Sequence, residues 1–314
     1  MKAIHVNWTE PFFHKERLRG HGFKVFRDIQ GEVEYIQPIY QILTTILSAL
    51  WWKKLNGSIK LYTDYVGRDY YKKLGILDIY DEIDVETLES YKGIDPAHFW
   101  TSGKIHCLLK ETEPFVFIDQ DFIVRSKLDE LEFNKYDLTI PHWEIPRGYY
   151  YFTEEQFKKE ITHCEYPNNY NVNSLVPNTS FLWFNNLELI KEYLKFHENL
   201  VCDEGTEVPE WFWLLTDQGI LGHTIREGNY NVSSISSNVF LSDSDHTGKD
   251  KRHLGMAEPW FKFIDGNIED KCSWEHLWYM KAVFSDNEEL KNKYIKRYLE
   301  EITELFPKYK NIKC

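Results

Sequence analysis

The sequence has no C-x-x-C pair, and its five cysteines, Cys107, Cys164, Cys202, Cys272 and Cys314, are scattered and odd in number. That pattern excludes a disulfide framework and a cysteine-rich zinc site, and it fits reduced thiols in a cytoplasmic protein. Positive charge is scarce, the formal net charge being -13. Phosphate contacts need a basic surface, so no nucleic-acid partner is expected. An anionic ligand would have to be met by a metal ion or a local basic cluster. The N-terminus, MKAIHVNWTEPFF, lacks a continuous apolar stretch after Lys2, so no secretory signal is expected. One uncharged run, Tyr35 to Trp52, is 18 residues long, near the lower limit for a membrane span. Its polar residues Gln37, Gln41, Thr44, Thr45 and Ser48 share one helical face, while Ile39, Ile42, Leu43, Ile46, Leu47, Leu50 and Trp51 line the other. The expectation is a packed amphipathic helix and no integral membrane segment, which leaves peripheral membrane association open. No internal repeat, low-complexity tract or clear linker divides the chain.

What is present is a chain of 314 residues, 42% hydrophobic and 28% charged, enough to bury a full core without staples. Aromatic residues reach 16%, with 11 Trp, 20 Tyr and 20 Phe, a surplus suited to stacking on sugars or bases although most rings serve a core. Strands are expected at KAIHVNW, SIKLYTD, YDEIDV, FVFIDQDFIV and DLTIPHW, with helices between them. That alternation calls for an α/β fold with a doubly wound, mostly parallel sheet flanked by helices. From about 144 to 177 the chain turns rich in Tyr and Asn with little periodicity, which reads as an insertion. TSFLWFNNLELIKEYLKFH reads as a strand entering a helix, and PEWFWLLTDQGILGHTI as an apolar helix. Near the end, Asp286 and Glu289 have capping-box spacing, followed by an apolar stripe at Leu290, Tyr294, Tyr298, Ile302 and Leu305. The expected organisation is a catalytic-type domain over 1–270 and a helical extension over 271–314 packed on it.

Chemistry concentrates at PFVFIDQDFIV. In a strand, Asp119 and Asp121 point to one face, and two close carboxylates ionise together only with a cation between them. A hard divalent ion with oxygen ligands suits that role, and the carboxyl edge of a parallel sheet is where such folds bind ligands. The alternative is that Asp119 merely ends the strand and Asp121 is solvated. Downstream, PNTSFLWFNN, LLTDQGIL and HTGKDK follow in order. Together with the Asp-x-Asp strand, they resemble the GT-A (nucleotide-diphospho-sugar transferase) fold, particularly retaining glycosyltransferases of families 8 and 32. PNTSFLWFNN is similar to those families' N-x-G-x-x-x-x-N strand, LLTDQGIL to their D-Q-x-x-L helix, and HTGKDK to their H-x-x-G-x-x-K segment, one residue shorter.

The resemblance implies a metal-dependent glycosyltransferase that moves a hexose from a nucleotide-sugar, a UDP-sugar, to a glycan or glycoconjugate acceptor with retention. It implies Mn²⁺ or Mg²⁺ held by Asp119, Asp121 and His246, with His253 and His276 as substitutes for the histidine. Lys251 is implied at the donor diphosphate, Lys104 and Ser102 near the donor, and Asn7, Trp8 and Thr9 at the base and ribose. Asp217 and Gln218 are implied beside the reacting sugar carbon, where a fixed dipole or charge stabilises an oxocarbenium-like transition state. Asn178 and Asn185 would orient the donor sugar, and Trp143 with Tyr149, Tyr150 and Tyr151 would offer an acceptor platform. Three rival readings remain. A D-x-D phosphatase normally opens its domain with the motif, whereas here it lies at 119. A nucleotidyltransferase generally carries a basic Gly-rich loop after the first strand, which NWTEPFF lacks. A carbohydrate-binding protein would bind sugar without metal-dependent turnover.

Overall fold

A computed structural model of the chain describes residues 1–13, 26–29, 32–91, 96, 101–146, 169–171, 173–198, 215–236, 239–242, 274–277, 281, 284 and 287–310. In chain order its strands are β1 (Ala3–Asn7), β2 (Phe26–Ile29), β3 (Glu32–Tyr35), β4 (Ile59–Thr63), β5 (Glu82–Asp84), β6 (Phe115–Ile118) and β7 (Phe122–Val124). They continue with β8 (Leu138–Ile140), β9 (Trp143–Pro146), β10 (Val176–Pro177), β11 (Phe181–Phe184), β12 (Val232–Ser234), β13 (Val239–Ser242) and β14 (Trp274–His276). The longer helices are α1 (Ile39–Leu55), α2 (Tyr65–Leu74), α3 (Ser102–Leu108), α4 (Glu188–Glu198), α5 (Ile220–Glu227) and α6 (Glu288–Leu305).

Seven strands form the central sheet in the order β12-β8-β11-β6-β1-β4-β5. Pairing is parallel except at β11, which runs against both β6 and β8. The fold class is therefore the doubly wound, mostly parallel α/β sheet flanked by helices. From β1 the chain winds outward through β4 to β5, then returns across β1 to β6. The winding reverses between β1 and β6, which opens a crevice at the carboxyl ends of those strands.

Alternation along the central strands builds a core on each face. Phe115 and Phe117 of β6, with Leu182 and Phe184 of β11, pack toward Ile105 and Leu108 of α3, Leu189 and Tyr193 of α4 and Ile220 of α5. Val116 and Ile118, with Phe181 and Trp183, pack on the opposite face toward α1 and α6. Helix α1 departs from its sequence expectation. Thr44, Thr45 and Ser48, expected on a polar face, are buried with the apolar residues. Burial is tolerated because the hydroxyls of Thr44 and Thr45 donate back to the Gln41 carbonyl, and Ser48 donates to the Phe122 carbonyl at 2.6 Å. No helix among the described residues is long and apolar enough to cross a membrane.

At the C-terminus, α6 is capped by Asn287, whose Oδ1 accepts from the Leu290 amide at 2.9 Å, one residue after the expected Asp286. Its stripe of Leu290, Tyr294, Tyr298 and Ile302 is buried, whereas Leu305 is exposed. Cys107 is a buried free thiol, and the other four cysteines lie outside the described residues.

Candidate functional site

The Asp-x-Asp stretch forms a turn, not the strand expected from its sequence. Strand β6 ends at Ile118, the Phe122 amide donates to the Asp119 carbonyl at 2.9 Å, and β7 begins at once. The turn hangs at the switch-point crevice, anchored to the neighbouring strand by the Asp119 amide donating to the Ser180 carbonyl at 2.7 Å. Turn geometry does what same-face strand geometry was expected to do, and it brings the carboxylates together with a histidine. Ligand atoms of Asp119, Asp121 and His276 all lie within 4.8 Å of one another. His276 arrives from β14, which pairs antiparallel with β7 and sets His276 opposite Phe122.

Electrostatics makes this cluster a fit for a cation. Burial works against ionisation of both aspartates. At Asp119 it prevails over the nearby Lys104, and the charges of Asp121 and Asp217 raise the pKa further above the usual carboxylate range. At Asp121 burial is outweighed by Lys281 and His276, and the carboxyl is held below that range. Lys281 Nζ stands 2.6 Å from Asp121 Oδ2, and His276 Nε2 is 3.7 Å from the same oxygen. Burial lowers the His276 pKa to about 3 against the pull of Asp121, so its imidazole is neutral near pH 7, the form that ligates metals. Two carboxylates and a neutral imidazole fit a hard divalent ion.

A second wall of the crevice comes from β1. Asn7 is buried, its Oδ1 accepts from the Tyr35 hydroxyl at 2.9 Å, and its Nδ2 has no partner among the described residues. The Ser102 hydroxyl, fully buried, is likewise without a partner there. Buried donors left open in this way suit a polar ligand, because an unmade hydrogen bond is costly. A polar chain links this wall to the turn. Gln37 Nε2 donates to Tyr35 at 2.8 Å and reaches the Tyr71 hydroxyl at 3.5 Å, and Tyr71 donates to Gln120 Oε1 at 2.9 Å. Thr9 is committed elsewhere, since its amide and hydroxyl both donate to Asp64 Oδ2, at 2.6 and 2.7 Å.

Trp8 lies against α3. A Cβ added at Gly103 would stand 2.5 Å from Trp8 Cε3 and 2.6 Å from Cδ2, so only glycine lets the indole lie there. Gly103→Ala is therefore expected to destabilise the protein by about 1–3 kcal/mol through overpacking, despite alanine's better helix propensity. A raised thermal midpoint would show that Trp8 is not fixed against the helix.

Beside the turn, Asp217 sits on a short π-helical turn (Leu215–Gly219) leading into α5, with Gln218 buried next to it. Wide turns of this kind recur at functional sites. Asp217 Oδ2 accepts from Thr179 at 2.6 Å and from Lys104 at 2.8 Å, and its Oδ1 accepts from Tyr193 at 2.9 Å. Lys104 is thus an inward cation rather than part of a solvated helix face. Asn178 is also held, its Nδ2 donating to Glu144 Oε1 at 2.7 Å while its Oδ1 accepts from the Ser180 amide at 3.1 Å. His142 Nε2 meets the same Glu144 oxygen at 3.1 Å. Asn185 lies at the far end of β11, tied to the carbonyls of Phe133 and Tyr136, away from the turn.

The structure thus gathers Asp119, Asp121, Asp217, Gln218, Lys104, Ser102, Asn7 and Asn178 around one sheet edge. His246, Lys251 and His253, with Tyr149, Tyr150 and Tyr151, lie outside the described residues, and the histidine found at the turn is His276. Sequence reasoning missed Lys281, Thr179, Tyr193, His142 and Glu144. Only Thr179 had a signal, its place within the N-x-S-x-x-x-x-N stretch.

Several solved structures match the chain at low similarity. Mouse xyloside xylosyltransferase 1 in its apo form is 16% identical, with 71% of this chain and 79% of that one covered and a TM-score of 0.32. The galactosyltransferase LgtC, with donor and acceptor sugar analogs, is 9% identical over 98% of this chain and 96% of its own, with a TM-score of 0.40. A nucleoside-diphosphate-sugar pyrophosphorylase from Vibrio cholerae is 12% identical over 78% and 93%, with a TM-score of 0.37. At these scores the likeness assigns no activity to this chain. No curated protein matches it by sequence. A family model does, over residues 1–273, and the chain accordingly belongs to the family described as a family of unknown function, DUF6734.

Proposed function

We propose that the protein is a metal-dependent glycosyltransferase that transfers a hexose from a UDP-sugar to a glycan or glycoconjugate acceptor, with retention. The observation that carries this reading is the convergence of Asp119, Asp121 and His276 at the carboxyl edge of the sheet, where the winding reverses. Mn²⁺ or Mg²⁺ held there would neutralise a leaving nucleoside diphosphate and so let an acidic chain bind a polyanion. Asn7 Nδ2 and the Ser102 hydroxyl would serve as donors to the nucleotide, and Trp8, leaning on Gly103, would stack on the base. Lys281, already at Asp121, takes the diphosphate-facing role that the resemblance implied for Lys251. Transfer breaks the bond between the sugar C1 and the diphosphate oxygen and forms one to an acceptor hydroxyl oxygen, whose proton passes to the leaving diphosphate. Asp217, fixed by Thr179, Lys104 and Tyr193, contributes a preorganised negative charge to the positive sugar carbon of the transition state. Retention and the choice of UDP rest on the resemblance alone.

The deciding experiment incubates the full chain with Mn²⁺ and a panel of nucleotide sugars and measures release of UDP, GDP or CMP. UDP release that EDTA abolishes is the expected result. Sugar binding by calorimetry with no nucleotide released would replace the enzyme with a carbohydrate-binding protein.

A further inference from the structure

Among the described residues, strand β14 belongs to no large sheet. Its place depends on β7, with Trp274 opposite Val124, Glu275 opposite Ile123 and His276 opposite Phe122, and on the Leu277 amide donating to the Asp121 carbonyl at 3.0 Å. Glu275, one residue before His276, points to the other face and enters a closed group of four charges. Arg125, the residue after β7, donates from Nη1 to Glu275 Oε2 at 2.8 Å, and from Nε and Nη2 to the two oxygens of Glu301 at 2.8 and 2.9 Å. From α6, Arg297 Nη2 reaches both Glu275 oxygens at 2.5 and 2.8 Å, and the Tyr298 hydroxyl donates to Oε1 at 2.7 Å. Trp51 of α1 closes the group on Glu301. The side chains of Arg125, Glu275, Arg297 and Glu301 are only 8%, 3%, 13% and 15% exposed.

Buried ion groups are weak contributors to stability, since apolar residues of equal volume often replace them without loss, but they can fix a unique arrangement. Here the arrangement is a strand register. A slip of one residue would exchange the faces of Glu275 and His276. It would put an imidazole or an indole between two guanidinium groups and move the histidine off the carboxylates. Three backbone pairs alone specify that register poorly.

We propose that the Arg125–Glu275–Arg297–Glu301 group is a register lock that holds His276 against Asp119 and Asp121. Glu275 is then a positioning residue of the metal site. The segment carrying β14 and α6, which lies beyond the 1–273 family match, is part of that site and not an accessory extension. The inference rests on the metal-binding reading above.

The test is calorimetric titration of Mn²⁺ into the full chain and its variants, with circular dichroism as the check on folding. Glu275→Gln is expected to raise the Kd for Mn²⁺ by at least about tenfold, the scale seen when groups that orient metal ligands are changed. Glu111→Gln is the control. Glu111 is a buried carboxylate bonded to Lys2 and Tyr62 near the start of β1, away from the turn, and its loss should lower the thermal midpoint without changing Mn²⁺ affinity. Should Glu275→Gln fail to fold, Glu301→Gln at the more open end of the lock is expected to weaken Mn²⁺ binding in the same direction. Unchanged affinity in whichever lock variant folds, or an equal loss in Glu111→Gln, overturns the lock. Failure of the unaltered chain to bind Mn²⁺ overturns instead the metal reading on which it rests.

Discussion

Asp121→Ala is expected to abolish Mn²⁺-dependent UDP release, lowering it by about a thousandfold or more, while the protein stays folded. Metal stabilisation of a leaving group supplies several kcal/mol, and each 1.36 kcal/mol is about tenfold in rate. Asp121 is the proposed ligand on which this should fall hardest, because the Lys281 ammonium beside it favours its ionised form, whereas burial pushes the Asp119 pKa up. The fold should survive for local reasons. The turn is closed by backbone bonds, from Phe122 to the Asp119 carbonyl and from Leu277 to the Asp121 carbonyl, and neither uses the carboxylate. Lys281, about a quarter exposed, can turn to water once its partner is gone. UDP release, Mn²⁺ calorimetry and circular dichroism on the same sample separate these effects. Full activity in this variant, or undiminished turnover of the unaltered chain in EDTA, would remove the metal from the mechanism.

The parts of the fold visible in the sequence were those fixed by short-range pattern. Unbroken apolar runs in FVFI and FLWF announce strands buried on both faces in the middle of a sheet, and the strand and helix order announces its winding. The parts that were hidden depend on contacts between distant residues. His276 could not be chosen over His246 or His253, because its selection is made by the pairing of β14 with β7, some 150 residues earlier in the chain. Lys281 carried no local mark for the same reason. The Thr-Thr-Ser face of α1 has the polarity of a solvent-facing stripe, yet short hydroxyls can satisfy themselves on their own helix. The Asp-x-Asp pair has apolar residues on both sides, which is the pattern of a strand. The turn between β6 and β7 is as tight as its backbone bond allows, and no glycine or proline marks it.

Asp217→Asn separates a catalytic carboxylate from a structural anchor. Both readings begin with the same bonds: Thr179 and Lys104 on one oxygen, Tyr193 on the other. Asparagine keeps the size of the side chain but loses the charge and one acceptor, so at least one of these donors must let go. If Asp217 contributes a fixed negative charge at the sugar carbon, kcat should fall by about a hundred- to a thousandfold, the range for removing one preorganised electrostatic group, with the KM for the donor nearly unchanged. If it serves only to hold Lys104, the loss should appear mainly in KM, and Lys104→Met should reproduce it. The geometry favours the first outcome. The Lys104 ammonium also lies over the Phe117 ring, 4.9 Å from its centroid, and 3.4 Å from Thr179 Oγ1, which places it without help from Asp217. An Asp217→Asn enzyme with unchanged kcat would move the electrostatic role to the neighbouring Gln218 or to the acceptor side of the site, and the double variant with Lys104→Met would show which of the two bears it.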